Sequence, residues 1–482
     1  MTMKITKLKY IGLLGLAITL NSCNDVDIDS PPIDNVDIES SIANLASATA
    51  AVDGLYDLMS RRDYYGRELM VTPEVASDNI LVSPSNSGRY LTQYQYSVLP
   101  TNGSVTNVWN GIYQNINSAN SILKFQGNIT DATPAQLNEV LGHAYAVRGM
   151  AHFDLVRTFS FPFNTTDASV APGADGNGGH LGVPLLLEFG QERHAPRQTV
   201  LAVYNQVIDD LTKALTLLPT TVYPSNSKLN RYGVQAILAK VYLYKGDYPK
   251  AYTTANNLVN SGAYSLGTNA SYMSNWDGSM EQDVILQLVS STNDNNGFDA
   301  LGSIYIDRGD AGNGGYGDLI PTSDITSLYA TGDVRNNWFR VDGGVTFNFK
   351  FPLAWTNNIP VLRLSEVYLN LAEAAARGGG SATVGQNALN AIVQRANPTA
   401  PATTSTGTAL LAEVMLERRK ELAFEGHRLY DLVRWQQDIV RGQVASPSTI
   451  STITYPNPEM IWPIPQNEID ANDSINENNV GY

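Results

Sequence analysis

The stretch from Asn230 to Ser261 limits what this chain can fold into more than any other. It reads as two helices joined at Lys245-Gly246-Asp247, because its apolar and small residues recur at helical rather than strand spacing. Leu238, Ala239, Tyr242, Gly246, Tyr248 and Ala251 fall where two such helices would touch. Small residues let the backbones approach, and the tyrosine fills the gap between them.

Those offsets are the ones tetratricopeptide repeats use for leucine, small residue, tyrosine, glycine, aromatic and alanine. A looser echo runs through Tyr368, Ala372, Ala375, Ala388 and Ile392, around a glycine-rich turn at Gly378 to Gly380. Further helices are expected over 40–60, 105–124, 134–159 and 199–218, the third with Thr133 as N-cap and Pro134 just inside its start. The fold class that follows is mainly α: a tetratricopeptide-like α-solenoid core of about four helix pairs. A large irregular, loop-rich region carrying a few short strands is expected beside it. Residues 265–360 have that character. Glycine and asparagine rise there, short apolar runs (VILQLV, VTFNF) appear, and Trp276, Tyr305, Tyr316, Trp338, Phe339 and Trp355 punctuate them. Structured insertions this long usually carry function.

Leu411 to Trp435 stands apart, dense in Glu and Arg within a chain that is only 16% charged. Catalytic carboxylates are one reading. The preferred one is an ion-pair lattice bracing two helices, with Glu417–Lys420, Arg418–Glu421, Glu425–Arg428 and Asp431–Arg434 as neighbours three apart and Gly426 as the break.

The first residues, MTMKITKLKYIGLLGLAITLNSC, give a basic start and an apolar run too short to span a bilayer. The single cysteine, Cys23, follows at once and cannot form an internal disulfide. Leu20-Asn21-Ser22-Cys23 resembles a bacterial lipobox, so residues 1–22 read as a lipoprotein signal peptide and Cys23 as the lipidation site. Residues 23–40, acidic and proline-containing, read as a flexible tether. The body divides into 41–264 with the repeat helices, 265–360 as the loop-rich insertion and expected ligand face, and 361–482 with further helices and a C-terminal tail. A net charge of −15 excludes nucleic acid as a partner.

Motifs for catalysis and cofactors fail on context. Gly312 to Gly317 fits a dinucleotide pattern but lacks the strand before and the helix after. Thr292 to Gly297 resembles a calcium loop, yet threonine holds the first position and Ser303 stands where glutamate belongs, so a loop-bound calcium is left open without support. His143, His152, His180, His194 and His427 form no ligand motif. No catalytic residue, metal ligand or cofactor is assigned. Tyrosines and tryptophans in polar loops suit a sugar, whose apolar face stacks on aromatic rings while Asn, Asp and Arg bond its hydroxyls. By position and chemistry, Asp78, Arg89, Tyr305, Tyr316 and Trp338 are the expected ligand contacts. Trp109 and Trp276 lie beside apolar patterns and read as structural.

The chain as a whole resembles the SusD/RagB family of outer-membrane nutrient-binding lipoproteins. HAYAVRGMAHFDLVRTFSFPF with GVPLLLE, VYNQVIDDLTKALTLLP, NRYGVQAILAKVYLYKGDYPKA and VLRLSEVYLNLAEAAAR carry the resemblance. LERRKELAFEGHRLYDLVRW and the ending IWPIPQNEIDANDSINENNVGY are its most specific parts; the closing Asn-Asn-Val-Gly-Tyr departs from the family's usual Gln-Asn-Pro-Gly-Tyr. The resemblance implies a lipid-anchored protein of the outer-membrane surface that binds a glycan without chemistry. It also implies delivery of that glycan to a SusC-like TonB-dependent transporter, over which the protein acts as a lid. The alternatives are a peptide-binding, RagB-like member of the family, or a secreted glycoside hydrolase on a helical scaffold.

Overall fold

The structure, a computed structural model, describes residues 41–482 except 191–193, 279, 281, 307–313, 353–354 and 446–447. The expected signal peptide, Cys23 and the tether lie outside the described residues. Eleven helices carry the argument: α1 (Leu45–Ser60), α2 (Glu68–Val75), α3 (Gly103–Lys124), α4 (Pro134–Phe159), α5 (Val200–Leu217), α6 (Arg231–Lys245), α7 (Tyr248–Ser261), α8 (Leu364–Ala376), α9 (Ala382–Ala396), α10 (Gly407–Glu421) and α11 (Arg428–Arg434). They stack in the order α1, α3, α4, α5, α6, α7, α8, α9, each on the next, with α10 closing on α8 and α9. Four helix pairs result, as the repeat pattern requires.

Local chemistry starts these helices. Thr133 is the N-cap as expected and forms a capping box with Gln136, each side chain accepting from the other's backbone N–H (3.4 and 3.0 Å). Asn230 caps α6 through the Gly233 N–H (2.9 Å), and Asp247 caps α7. Ala239 and Ala251 are fully buried at the α6/α7 contact, and Tyr242 is half-buried beside them.

Between α7 and α8 the chain leaves the stack, and it rejoins through a two-stranded antiparallel sheet of β4 (Val284–Leu288) and β8 (Ile359–Arg363). Two other short pairings lie in or reach this insertion: β1 (Ile80–Val82) with β5 (Leu319–Pro321), and β6 (Phe339–Asp342) with β7 (Val345–Asn348). Elsewhere β2 (Leu181–Pro184) pairs with β3 (Arg197–Thr199), and β9 (Ile439–Val440) with β10 (Thr452–Ile453). All are two-stranded, so the irregular half cannot rest on a sheet and is held by other means.

The means are buried charges. Around the end of α10, five carboxylates (Asp283, Asp333, Glu417, Glu421, Glu425) meet five cations (Arg335, Lys350, Arg363, Arg395, Lys420), so the cluster is neutral. Glu421 alone accepts from Arg395 (2.5 Å), Arg363 (3.0 Å) and Arg335 (3.0 Å). Desolvation opposes the Glu421 carboxylate, but the three guanidiniums and Lys350 outweigh it and hold the group well below the usual carboxylate range. Arg335 and Lys350 come from the insertion, Arg363 from β8 and Arg395 from α9, so one side chain joins both halves of the molecule. The lattice reading of Leu411–Trp435 therefore stands, with different partners. Only Glu417–Lys420 and Asp431–Arg434 pair at three apart (3.1 and 2.9 Å). Arg418 reaches Asp431 and Glu366, Glu425 reaches Lys350 and Arg363, and Arg428 reaches Asp78. Arg418 and Glu421 share α10 but are taken by partners from other elements, whereas Glu425 and Arg428 lie past the helix end at Glu421, where the three-apart spacing no longer applies. Gly426 marks the break: its φ is +76°, and a Cβ there would strike the Leu69 carbonyl. Glu74 of α2 takes the freed N–H groups of Gly426, His427 and Arg428 on one carboxylate oxygen (3.1, 3.1 and 3.3 Å), docking α11 onto α2.

Candidate functional site

Just past β4 and just before β8, residues 289–300 on one side and 351–352 with 355–358 on the other flank a narrow slot. Its lining includes Trp276, Met280, Leu301 and Ile359 as apolar surface and Ser290, Asn296, Asn357 and Asn358 as polar groups. The slot holds only about 30 Å³, so it admits a substituent rather than a molecule. Trp355 at its edge is 45% exposed, and Phe298, against it, is 59% exposed. Their ring centroids lie 4.9 Å apart at 64°, and no other large aromatic side chain among the described residues is so exposed. Water-facing aromatic faces beside amide groups form a surface on which a pyranose can stack while its hydroxyls are bonded.

The platform is held firmly for a loop structure. Asp299 pairs with Arg67 (2.5 Å) and Arg62 (3.6 Å), and Asn296 donates to the Ser60 carbonyl (2.9 Å), fixing loop 289–300 to the end of α1. Asn357 donates to the Pro352 carbonyl (2.6 Å), and the Asn358 side chain accepts from the Ser290 N–H (3.2 Å), joining the two loops. Gly302 sits so close to the Pro352 carbonyl that any Cβ would collide with it. Beneath the slot, Trp276 lies against the charged cluster: Lys350 Nζ is 4.6 Å and the Arg363 guanidinium 5.1 Å from its ring. Burial pushes the Lys350 ammonium down to about 8, against the pull of Glu425.

Of the five sequence-predicted contacts, two reach the surface together. The Arg89 guanidinium lies 3.7 Å from the half-buried Tyr316 ring and 3.4 Å from Asp318, which also accepts from the Ser87 N–H (2.9 Å). The other three are corrected by the structure. Tyr305 is fully buried between Phe351 and Phe424, with ring centroids 6.2 and 5.8 Å away. Trp338 is fully buried among Tyr272, Trp276 and Tyr329, under the Lys350 ammonium at 4.1 Å. Asp78 receives both Arg428 nitrogens (2.7 and 2.8 Å) and the charge of Arg419 (3.3 Å). Burial opposes its ionisation, but Arg428 outweighs that and lowers the carboxyl below its usual range. None of these three can meet a ligand without opening the core. Trp276 is buried as expected but lines the slot, and Trp109 is buried with its indole at a separate pocket.

Sequence reasoning missed Phe298, Asn296, Asn357 and Asn358, and noted Trp355 without choosing it. Phe298 stands after an asparagine- and glycine-rich run, whereas Trp355 follows the apolar Phe351-Pro352-Leu353-Ala354 and only the residues after it, Thr356, Asn357 and Asn358, are polar. The calcium-like loop closes on itself: Asn295 donates to the Ser291 and Thr292 carbonyls (2.7 and 3.1 Å) and accepts from Gly297 N–H (2.9 Å). Among the described residues no group of three His, Cys, Asp or Glu could hold a metal ion, and no helix is long and apolar enough to cross a membrane. Burial keeps His143 and His152 neutral, pushing both down to about 3; His143 bonds the Tyr56 and Tyr223 hydroxyls (2.8 and 3.2 Å).

Residues 354–482 match the family described as the SusD family, and residues 23–243 the one described as starch-binding associating with outer membrane. SusD-like protein P2 of Formosa agariphila is 26% identical over 542 residues, spanning all of both chains. A crystal structure of a SusD superfamily protein from Bacteroides vulgatus ATCC 8482 is 30% identical with a TM-score of 0.81, covering 91% of this chain and 99% of its own. A laminarin binding SusD-like protein is similar in fold, with a TM-score of 0.71 at 22% identity over 91% of this chain and all of its own.

Proposed function

The chain belongs to the SusD/RagB family, and on that premise we propose that it binds a glycan at the cell surface on the Phe298–Trp355 platform, without catalysis. The observation that carries the reading is the pair of exposed, mutually braced rings beside a slot polar only through Ser and Asn side chains. Binding by stacking needs a rigid, pre-formed surface, and the Asp299–Arg67 and Asn296–Ser60 contacts supply one. A carboxylate pair for glycoside hydrolysis would have to stand at such a platform. Asp299, next to Phe298, is instead paired with Arg67 and Arg62, and the carboxylates of the cluster beneath Trp276 are neutralised by its cations. A family description as starch-binding and a fold neighbour named for laminarin support a polysaccharide ligand over a peptide.

The Arg89–Tyr316 pair extends the ligand face: the helix Leu301–Tyr305 lines the slot with its first residues, and Ser303 accepts from the Tyr316 N–H (2.6 Å). In this reading Cys23 carries the lipid anchor in the outer membrane and the bound glycan passes to a SusC-like TonB-dependent transporter. The experiment is a glycan array with the soluble form beginning after Cys23, followed by affinity electrophoresis and a reducing-sugar assay. Retardation in a polysaccharide gel with no release of reducing ends is expected. Release of product would overturn the non-catalytic role, and flat binding to every glycan would turn the reading toward a peptide ligand.

A further inference from the structure

We propose a second saccharide subsite, separate from the platform, in the pocket between α3 and the C-terminal segment; it takes one or two neutral sugar units. The pocket encloses about 290 Å³, at the small end of ligand sites and far larger than the slot. Asn110, Tyr113, Gln114 and Asn117 recur at helical spacing and so line one side of α3. Opposite them stand Glu468 and Asn472, while Pro184 and Leu186 supply apolar walls.

The lining has the composition a sugar requires. Tyr113 donates to the Pro184 carbonyl (2.8 Å), which fixes its ring at the pocket wall. Glu468 accepts from the Trp109 indole N–H on one carboxylate oxygen (3.3 Å) and from the Asn472 amide on the other (3.0 Å). Each oxygen keeps a lone pair for a ligand hydroxyl. The exposed side-chain amides of Asn110 and Gln114 have no hydrogen-bond partner among the described residues, and each offers a donor and an acceptor. Among the described residues no cation lines the pocket and its one charged group is Glu468, so uronates, sulfates and phosphates are disfavoured there. Glycan binding at the platform supplies the choice of ligand class; the geometry of the pocket is independent of it.

The test is isothermal titration of the soluble protein with laminari-, malto-, cello- and manno-oligosaccharides, using the wild type, the Asn110→Ala/Gln114→Ala variant and Trp355→Ala. Asn110 and Gln114 are exposed, so their removal leaves folding intact, with a thermal melt as control. The wild type should bind two equivalents, with each variant losing one and keeping the other. A single equivalent that vanishes in Trp355→Ala and is unchanged in Asn110→Ala/Gln114→Ala overturns the second subsite and leaves the platform reading standing. A single equivalent lost only in Asn110→Ala/Gln114→Ala supports the pocket and overturns the platform. Absence of binding to any neutral glycan overturns both.

Discussion

Replacing Trp355 with alanine should weaken glycan binding while leaving the fold nearly untouched. Trp355 and Phe298 are 45% and 59% exposed. At about 200 Å² per aromatic side chain, those fractions leave roughly 90 and 120 Å² open to water. A pyranose covering half of that removes about 100 Å² from water, which is about 2.5 kcal/mol at ~25 cal/mol per Å². The tryptophan's share is about 1 kcal/mol, and loss of its edge contact with Phe298 adds about 0.5–1 kcal/mol by leaving that ring unbraced. Together they predict roughly 10–30-fold weaker binding for Trp355→Ala, and a further loss in the double variant with Phe298→Ala. Affinity electrophoresis or titration calorimetry with the array-positive glycan measures the effect. Thermal unfolding should shift little, because an exposed side chain away from caps and core costs within about 0.5 kcal/mol. A double variant that binds as tightly as the wild type at unchanged stability would refute the platform.

Glu421→Gln removes the shared partner of three buried guanidiniums and should cost about 3–5 kcal/mol in urea unfolding; an unchanged midpoint would contradict the bracing role of the cluster. Glu373 is buried, which opposes its charge, but both Arg434 nitrogens (2.6 Å each) outweigh that and hold it down to about 2 against a usual 4.5. Its folded-state value is the lower one, so about 3 kcal/mol of stability is present above pH 4.5 and is lost as pH falls toward 2. Unfolding across that range should be steeper in the wild type than in Glu373→Gln. Cys23→Ala should leave the soluble body folded and abolish membrane attachment; protein still pelleting with membranes would sink the lipid anchor.

Fold and site differed in how far the sequence exposed them, and the difference is physical. Helix periodicity, the Thr133–Gln136 capping box and the Lys245-Gly246-Asp247 turn are local features, written in neighbouring residues, and α4, α6 and α7 follow them. The charges of Leu411–Trp435 announced that partners must exist but not which. Arg335 and Lys350 come to Glu421 and Glu425 from the insertion, about 75 to 86 residues away in the chain. Exposure is more distant still. Trp338 follows Asn336-Asn337 and Trp355 precedes Asn357-Asn358, yet one packs beneath Lys350 at 0% exposure and the other faces water. Which loop aromatic ends inside depends on contacts between segments far apart in the chain. Composition could nominate the set but could not sort it.

That division also explains why a scaffold like this can present different ligand faces. The cluster around Glu421 is intolerant: removing one charge leaves others buried and unpaired, so its residues are tied to one another by the cost of desolvation. The Phe298 and Trp355 rings touch one another and turn exposed faces to water, and Asn357 bonds the Pro352 carbonyl, so none of the three is part of the charged network. Changing a ring there alters what can stack without disturbing Trp276, which separates the slot from the cluster. The charged core sets where the two loops stand, and the exposed rings set what they hold. A swap of Trp355 and Phe298 for other aromatics should therefore move ligand preference at nearly constant stability, whereas any neutralising change at Arg363 should lower stability before it touches preference.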